Sequence, residues 1–249
     1  MVAFIQFNGD FRTSIKLIIM LSDIISRRCI LMNRQWRRRK MNQSRKKTKF
    51  LVLLTMFCSI QVVLMLTPLG YIPIGPIRAT TMHIPVILAG ILLGVKGGAI
   101  TGLVFGISSV IINTITPTIT SFVFTPFYSL GEYHGNVMSL VIAIAPRVLL
   151  GVLAAFIYSW FRNKDNKVRL IGSGMIALVC TLIHSILVLG MIYVFFGPSY
   201  AAAKGVEASA LFGLLLGLIT TNSVLEAIIA TLIVTPLTKV LEPITKKVI

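Results

Sequence analysis

The 249 residues predict an all-α, polytopic membrane protein with six transmembrane helices and cytoplasmic N- and C-termini. Three observations carry that prediction. Hydrophobic residues make up 56% of the chain and charged residues 12%, where a water-soluble domain carries about 25% charged residues, so there are too few charges to cover a globular surface. Long runs lack Asp, Glu, Lys and Arg altogether: Phe50–Ile77, Ala79–Val95, Gly97–Gly131 and Leu170–Ala203. A run of about 18 or more apolar residues is enough to cross the hydrocarbon core as a helix. Finally, the net charge of +17 is unevenly spread, with 13 of the 24 Lys and Arg in residues 1–49. A basic chain invites a nucleic-acid reading, but this clustering beside apolar runs does not form a groove or stripe.

The elements follow in order. Residues 1–40 differ from the rest. Ile15–Leu21 is apolar but interrupted by Lys16 and followed by Asp23, Arg27 and Arg28, too short and too charged to span. It has no clean small-residue cleavage site of the kind a signal peptide needs. Met41 opens a short basic leader, Arg45-Lys46-Lys47-Thr48-Lys49, directly before the first apolar run. We therefore expect residues 1–40 to be a basic extension, disordered or not native, or else an amphipathic anchor on anionic lipid. Residues 41–249 form the membrane domain.

Helix 1 is expected at about 50–66, ended by Pro68 and Gly70, and helix 2 at about 81–95, ended by Gly94, Gly97 and Gly98. Helix 3 covers about 97–115, before Pro117, and helix 4 about 137–161. Helix 5 covers about 170–196, closed by Gly197-Pro198, and helix 6 about 208–238, with Pro236 and Pro243 marking its end. The two longer connections, 67–80 and 116–136, are rich in Thr, Ser, Gly and Pro. Counted from residue 41 with the N-terminus inside, 12 basic residues fall on cytoplasmic segments and only Arg78 and Lys204 outside, the asymmetry of the positive-inside rule. Both long loops then lie outside.

Small residues recur every four positions at Gly98, Gly102 and Gly106, at Gly213 and Gly217, and at Thr55 and Ser59. Such faces let helix backbones approach closely in lipid, either within this chain or against a partner. Cys29, Cys58 and Cys180 match neither a disulfide framework nor a metal site, and no cofactor or metal is expected.

Two charges sit deep in predicted helices, Arg147 and Glu226. An intramembrane charge costs about 2.5–3.5 kcal/mol at the bilayer centre on insertion scales. Each should face a partner or a wet cavity, and neutralising each other is one solution. At about 1.5 Å per residue, Arg147, His184 and Asn222 lie at one level in the outer half of the membrane, with Glu226 one turn below Asn222. The loops add Arg78, Thr80 and His83, then Asn113, Thr118 and Ser121. A cation among neutral hydroxyl and amide donors suits a small anionic ligand that carries hydroxyls or amides. Phe122, Phe124, Phe127 and Tyr128 could form an apolar wall or an interfacial aromatic belt.

The chain has no GxxxxGK[ST], HExxH or GxSxG, so it carries neither its own ATPase nor a familiar hydrolase site. No enzymatic activity of its own is expected. A stand-alone proton-coupled transporter with Glu226 as its proton site stays open, although no paired acids and no inverted repeat support it.

The sequence resembles the substrate-binding S component of energy-coupling factor (ECF) vitamin transporters over about residues 45–240. The matching stretches are Thr67–Pro85, Gly90–Gly106, Pro117–Phe124, Ala145–Gly151 and Thr221–Ile229. The resemblance implies a subunit of the bacterial plasma membrane that binds a vitamin from outside. It also implies docking on a transmembrane T component with two cytoplasmic ATPases, which tip the subunit to release the vitamin inside. In the family small residues on helix 1 make that docking face, and Thr55 and Ser59 stand there in this chain. The first loop and Pro117–Phe124 are most similar to the pantothenate branch, with riboflavin or another vitamin as the alternative. Pantothenate is an anion with two hydroxyls and an amide. That assigns Arg147 to its carboxylate and Asn113, Thr118, Ser121, His184 and Asn222 to its neutral groups, with Glu226, Arg78, Thr80 and His83 completing the candidate set.

Overall fold

The structure, a computed structural model, describes residues 43–44, 46–67, 70–74 and 77–246, and for 71–74, 77–79 and 246 the backbone alone. The expected extension at 1–40 lies outside the described residues. Residues 43, 44 and 46–48 are helical, and Lys49–Ile249 is a compact unit of its own.

Five helices among the described residues are long and apolar enough to cross a membrane. They are α1 (Lys46–Leu66), α2 (His83–Ile115), α3 (Val137–Phe161), α4 (Asn166–Lys204) and a last span, Leu211–Thr245. The chain is therefore a multi-pass, helical membrane protein. Two small antiparallel hairpins decorate its loops. β1 (Tyr71–Ile74) pairs with β2 (Ile77–Thr80), and β3 (Ser129–Leu130) pairs with β4 (Tyr133–His134). Both hairpins are additions to the expected all-α plan.

The α2 segment is two helices in one. Gly94 inside it adopts φ 74° and ψ −167°, a left-hand-side conformation open to glycine at little cost. The chain doubles back there. A Cβ built on Gly98 would lie 3.0 Å from the Cα of Gly90, whereas residues eight apart in a continuous helix are separated by about 12 Å. The first arm, 83–93, is buried on every side. The second, 95–115, exposes Val95, Ile100, Leu103, Ile107 and Ile111, a stripe at helical spacing. The sequence separates these arms at the same glycine-rich turn.

The Gly98, Gly102 and Gly106 face packs inside this chain, against α3. A Cβ on Gly98 would meet the Gly151 carbonyl oxygen at 2.3 Å. One on Gly102 would meet that of Arg147 at 2.4 Å, and one on Gly106 the Cα of Ile144 at 2.9 Å. Gly90 reaches the same Gly151 oxygen at 2.6 Å, so three backbones converge without side chains between them. Gly213 and Gly217 differ, because nothing lies within 4 Å of a Cβ built on either.

The α3 bounds match expectation. Asn136 caps the helix through Met138 N–H (2.8 Å), and Ser139 answers to the Asn136 N–H (3.1 Å), a reciprocal capping box. Two helix ends differ from expectation. Helix α4 runs through Gly197-Pro198 to Lys204 and stops at Gly205, φ 67°, the left-handed glycine that ends many helices. The last helix likewise runs through Pro236 and Pro243. A proline removes one backbone donor, and in a membrane bundle neighbouring groups can re-satisfy the freed carbonyl. The last span starts as α5 (Leu211–Leu218), passes a π-helical turn at Ile219–Ser223 and continues as α6 (Val224–Lys246). It packs on α4, where the Thr231 hydroxyl donates to the Gly174 carbonyl (3.3 Å) and Arg169 pairs with Glu242 (2.9 Å).

Candidate functional site

The site is assembled around Arg147. Pro146 has no N–H, so the carbonyl of Ile142, four residues earlier, loses its ordinary helical donor. The Arg147 guanidinium donates Nη1–H to that carbonyl. Its carbon stands 5.5 Å from the ring centre of Phe105 on α2 and 5.3 Å from that of Phe124. Cation–π contacts of this kind strengthen when water is excluded, and Arg147 is buried. His184 on α4 contacts the same turn through Nδ1 and the Pro146 carbonyl oxygen, 3.2 Å apart. Its ring lies 6.2 Å from that of Phe105. Arg147 and His184, matched by depth in the sequence, are thus brought together.

Glu226 does not neutralise Arg147. One of its carboxylate oxygens accepts the backbone N–H of Thr80 at 2.7 Å and the Thr80 hydroxyl at 3.3 Å, tying the first loop to α6. His83 lies within electrostatic reach of His184 and against the main chain of Thr80 and Glu226. The two groups of residues therefore border one another. Asn222, half-buried, sits in the π-helical turn, which packs against β2 and α4. Extra-residue turns of this type recur at functional sites. Arg78 lies on β2 opposite Pro73.

Asn113, Thr118 and Ser121 also converge, on one another. The Ser121 hydroxyl donates to Asn113 Oδ1 (2.8 Å) and accepts from the Thr118 N–H (2.8 Å), and the Thr118 hydroxyl is 3.1 Å away. Asn113 Nδ2 donates to the Ser109 carbonyl (2.8 Å). This network closes the end of α2 and orders the loop that delivers Phe124. The expected aromatic wall breaks up. Phe124 covers Arg147, and Phe122 is packed against Tyr133 and Phe196. Tyr128 packs on that cluster, while Phe127 is 77% exposed and walls nothing.

Thr55 and Ser59 are exposed on α1 and line a shallow apolar groove with Val52, Met56, Ile60, Val63 and Leu64. A separate cavity of about 310 Å³ opens at the far end of α3, beside Gly94, Tyr158, Arg162 and Glu242. None of Arg147, His184 and Glu226 lines it.

Two buried polar groups escaped the sequence reading. Gln61 on α1 and Thr181 on α4 are wholly buried, and neither amide atom of Gln61 nor the hydroxyl of Thr181 has a hydrogen-bond partner among the described residues. His83 Nε2 is in the same state. Most helix threonines here donate to a carbonyl three or four residues back, as Thr101 and Thr231 do, so Thr181 is an exception. It lies one turn from His184. The available signal for Gln61 was an amide within an otherwise apolar run.

Residues 49–238 match the family model described as ECF transporter, substrate-specific component. The chain is 35% identical over 194 residues to the pantothenic acid transporter PanT of Lactococcus lactis subsp. cremoris, covering 77% of this chain and 92% of that protein. It is 31% identical over 212 residues to the pantothenate transporter PanT of Leuconostoc mesenteroides subsp. mesenteroides, covering 82% of this chain and 97% of that one.

Proposed function

The chain belongs to the family of ECF transporter substrate-specific components, and on that premise we propose that it captures pantothenate at the outer face of the bacterial plasma membrane. The observation that carries the substrate is the buried Arg147, whose guanidinium donates to the Ile142 carbonyl and lies between the rings of Phe105 and Phe124, beside His184. A guanidinium is permanently charged and its planar fork matches a carboxylate. His184, Thr80, Asn222 and the first loop supply neutral donors and acceptors around it for the two hydroxyls and the amide of pantothenate. Asn113, Thr118 and Ser121 act one step back, by fixing the loop that carries Phe124. Similarity to two pantothenate transporters over most of the chain supports the same substrate.

The topology that serves this role has six passes, with the arms of α2 counted separately and both termini cytoplasmic. The first loop and residues 116–136 then cover an outward-facing pocket, with Glu226 holding the first loop through Thr80. Delivery requires a transmembrane T component and two ATPases, since the sequence has no nucleotide-binding loop of its own. The exposed α1 face at Thr55 and Ser59 is the docking surface toward that T component.

Labelled pantothenate binding to the purified protein in detergent or nanodiscs, without ATP, tests the assignment. Submicromolar affinity is expected. Saturable binding of riboflavin with none of pantothenate would move the chain to another vitamin, and uptake driven by a proton gradient in cells lacking the ATPases would overturn the mechanism.

A further inference from the structure

We infer that Gln61, on the first transmembrane helix, is a ligand-contacting residue whose side-chain amide hydrogen-bonds the bound vitamin, an inference that rests on the pantothenate assignment above. Gln61 has no exposed surface, and neither its Nε2 nor its Oε1 has a partner among the described residues. An amide buried without hydrogen bonds is costly anywhere in a protein, and buried polar groups are otherwise nearly always satisfied. Gln61 therefore stands out as a group whose partner arrives with something else.

Its surroundings point to the pocket. Gln61 lies on the core face of α1 with Leu54 and Phe57, close to the end that leads into the first loop. One turn further on, the Leu64 carbonyl is met so closely by Gly70 that a Cβ there would lie 2.2 Å from its oxygen. The same Gly70 position approaches the Met82 side chain. Met82 precedes His83, whose Nε2 is also buried and unpartnered and which borders His184 and Glu226. The unpartnered hydroxyl of Thr181 follows one turn from His184. Unsatisfied groups on α1, the first arm of α2 and α4 thus lead to the residues around Arg147. They offer an amide donor and acceptor, a ring nitrogen and a hydroxyl. That inventory complements the amide and hydroxyls of pantothenate, while Arg147 takes its carboxylate.

The near-isosteric variant Gln61→Met separates a ligand contact from a structural role. For a ligand contact, removing an unsatisfied amide leaves the thermal midpoint of the ligand-free protein equal or higher. At the same time the pantothenate Kd weakens by about tenfold or more, and the ligand-induced rise in midpoint shrinks. Unchanged affinity in Gln61→Met, with wild-type protein binding normally, overturns the inference and leaves the vitamin assignment intact. So does a lowered ligand-free midpoint with the ligand-induced rise preserved, because that is the mark of a purely structural amide. Wild-type protein that binds no pantothenate overturns the vitamin assignment itself, and the inference with it.

Discussion

Thr80 and Glu226, 146 positions apart in the chain, are joined by a 2.7 Å hydrogen bond from a backbone N–H to a buried carboxylate oxygen. This contact fastens the end of the first hairpin to the last helix, just past the turn where that helix takes an extra residue. Glu226 is thereby a structural acceptor toward the loop. Glu226→Gln keeps an oxygen acceptor in the same place and should leave pantothenate affinity within a few-fold. Glu226→Ala leaves the Thr80 N–H without its acceptor, a loss of about 1–3 kcal/mol, and should weaken binding by about tenfold or more. Isothermal titration of both variants checks this. Uptake abolished by Glu226→Gln with binding intact would instead identify a proton-coupled carrier.

Arg147 should be the most sensitive position. Hydrogen bonds to charged groups contribute about 1.5–3 kcal/mol, so Arg147→Ala is expected to weaken pantothenate binding by about tenfold to a hundredfold or more. Arg147→Lys should recover little, because an ammonium lacks the planar fork that spans a carboxylate and stacks between rings. Affinities of both variants, compared with correctly folded protein by circular dichroism, decide the matter. Wild-type affinity in Arg147→Ala would remove the anion-binding assignment.

Glycines predict two opposite stability outcomes. At Gly151 a Cβ would stand 2.1 Å from the Gly98 carbonyl oxygen, so Gly151→Ala must push two helices apart. Overpacking of this sort costs about 1–3 kcal/mol. Gly213 and Gly217 face open space, and alanine there removes the glycine penalty of about 1 kcal/mol in a helix. Thermal unfolding in detergent should show Gly151→Ala lowered and Gly217→Ala unchanged or raised. The reverse order would contradict the packing of α2 on α3.

Docking and binding should separate on α1. Thr55→Leu with Ser59→Leu enlarges an exposed face without touching Arg147, so purified protein should keep its affinity for pantothenate. Cellular uptake should fall strongly. Unaltered uptake would move the docking surface elsewhere.

Sidedness can be read by thiol labelling. Cysteine placed at Ser129, in the second hairpin, should react with an impermeant reagent on intact cells. Cysteine at Lys164, in the connection between α3 and α4, should react only after the membrane is opened. Cys29, Cys58 and Cys180 need replacement first.

Much of this was legible in the sequence because it depends on local composition. Uncharged runs gave the helices, Gly94 the reversal, and the Gly98–Gly102–Gly106 spacing the tight helix pair. Depth counting brought Arg147 and His184 together because α3 and α4 are continuous helices from a common end. What escaped depends on tertiary context. The continuation of α4 through Pro198 required neighbours able to replace one lost hydrogen bond. The extra residue at Ile219–Ser223 leaves no periodic trace, because four consecutive polar residues, Thr220 to Ser223, spread over all sides of the helix. The sequence left the Glu226 partner open, because its donor is a backbone N–H that no residue identity announces. Gln61 and Thr181 look like ordinary minor polar residues until their surroundings show that nothing bonds them.

The meeting of Gly90, Gly98 and Gly151 has a mechanical meaning. Where backbones touch directly there are no side-chain rotamers to take up a change of spacing, so sliding or splaying at that point would require peptide atoms to overlap or lose contact outright. The α2 hairpin and α3 therefore behave as a single stiff wedge. Shape change in this protein has to be carried by the segments around it: the thinly covered first helix, the paired loop hairpin, and the last helix with its irregular turn.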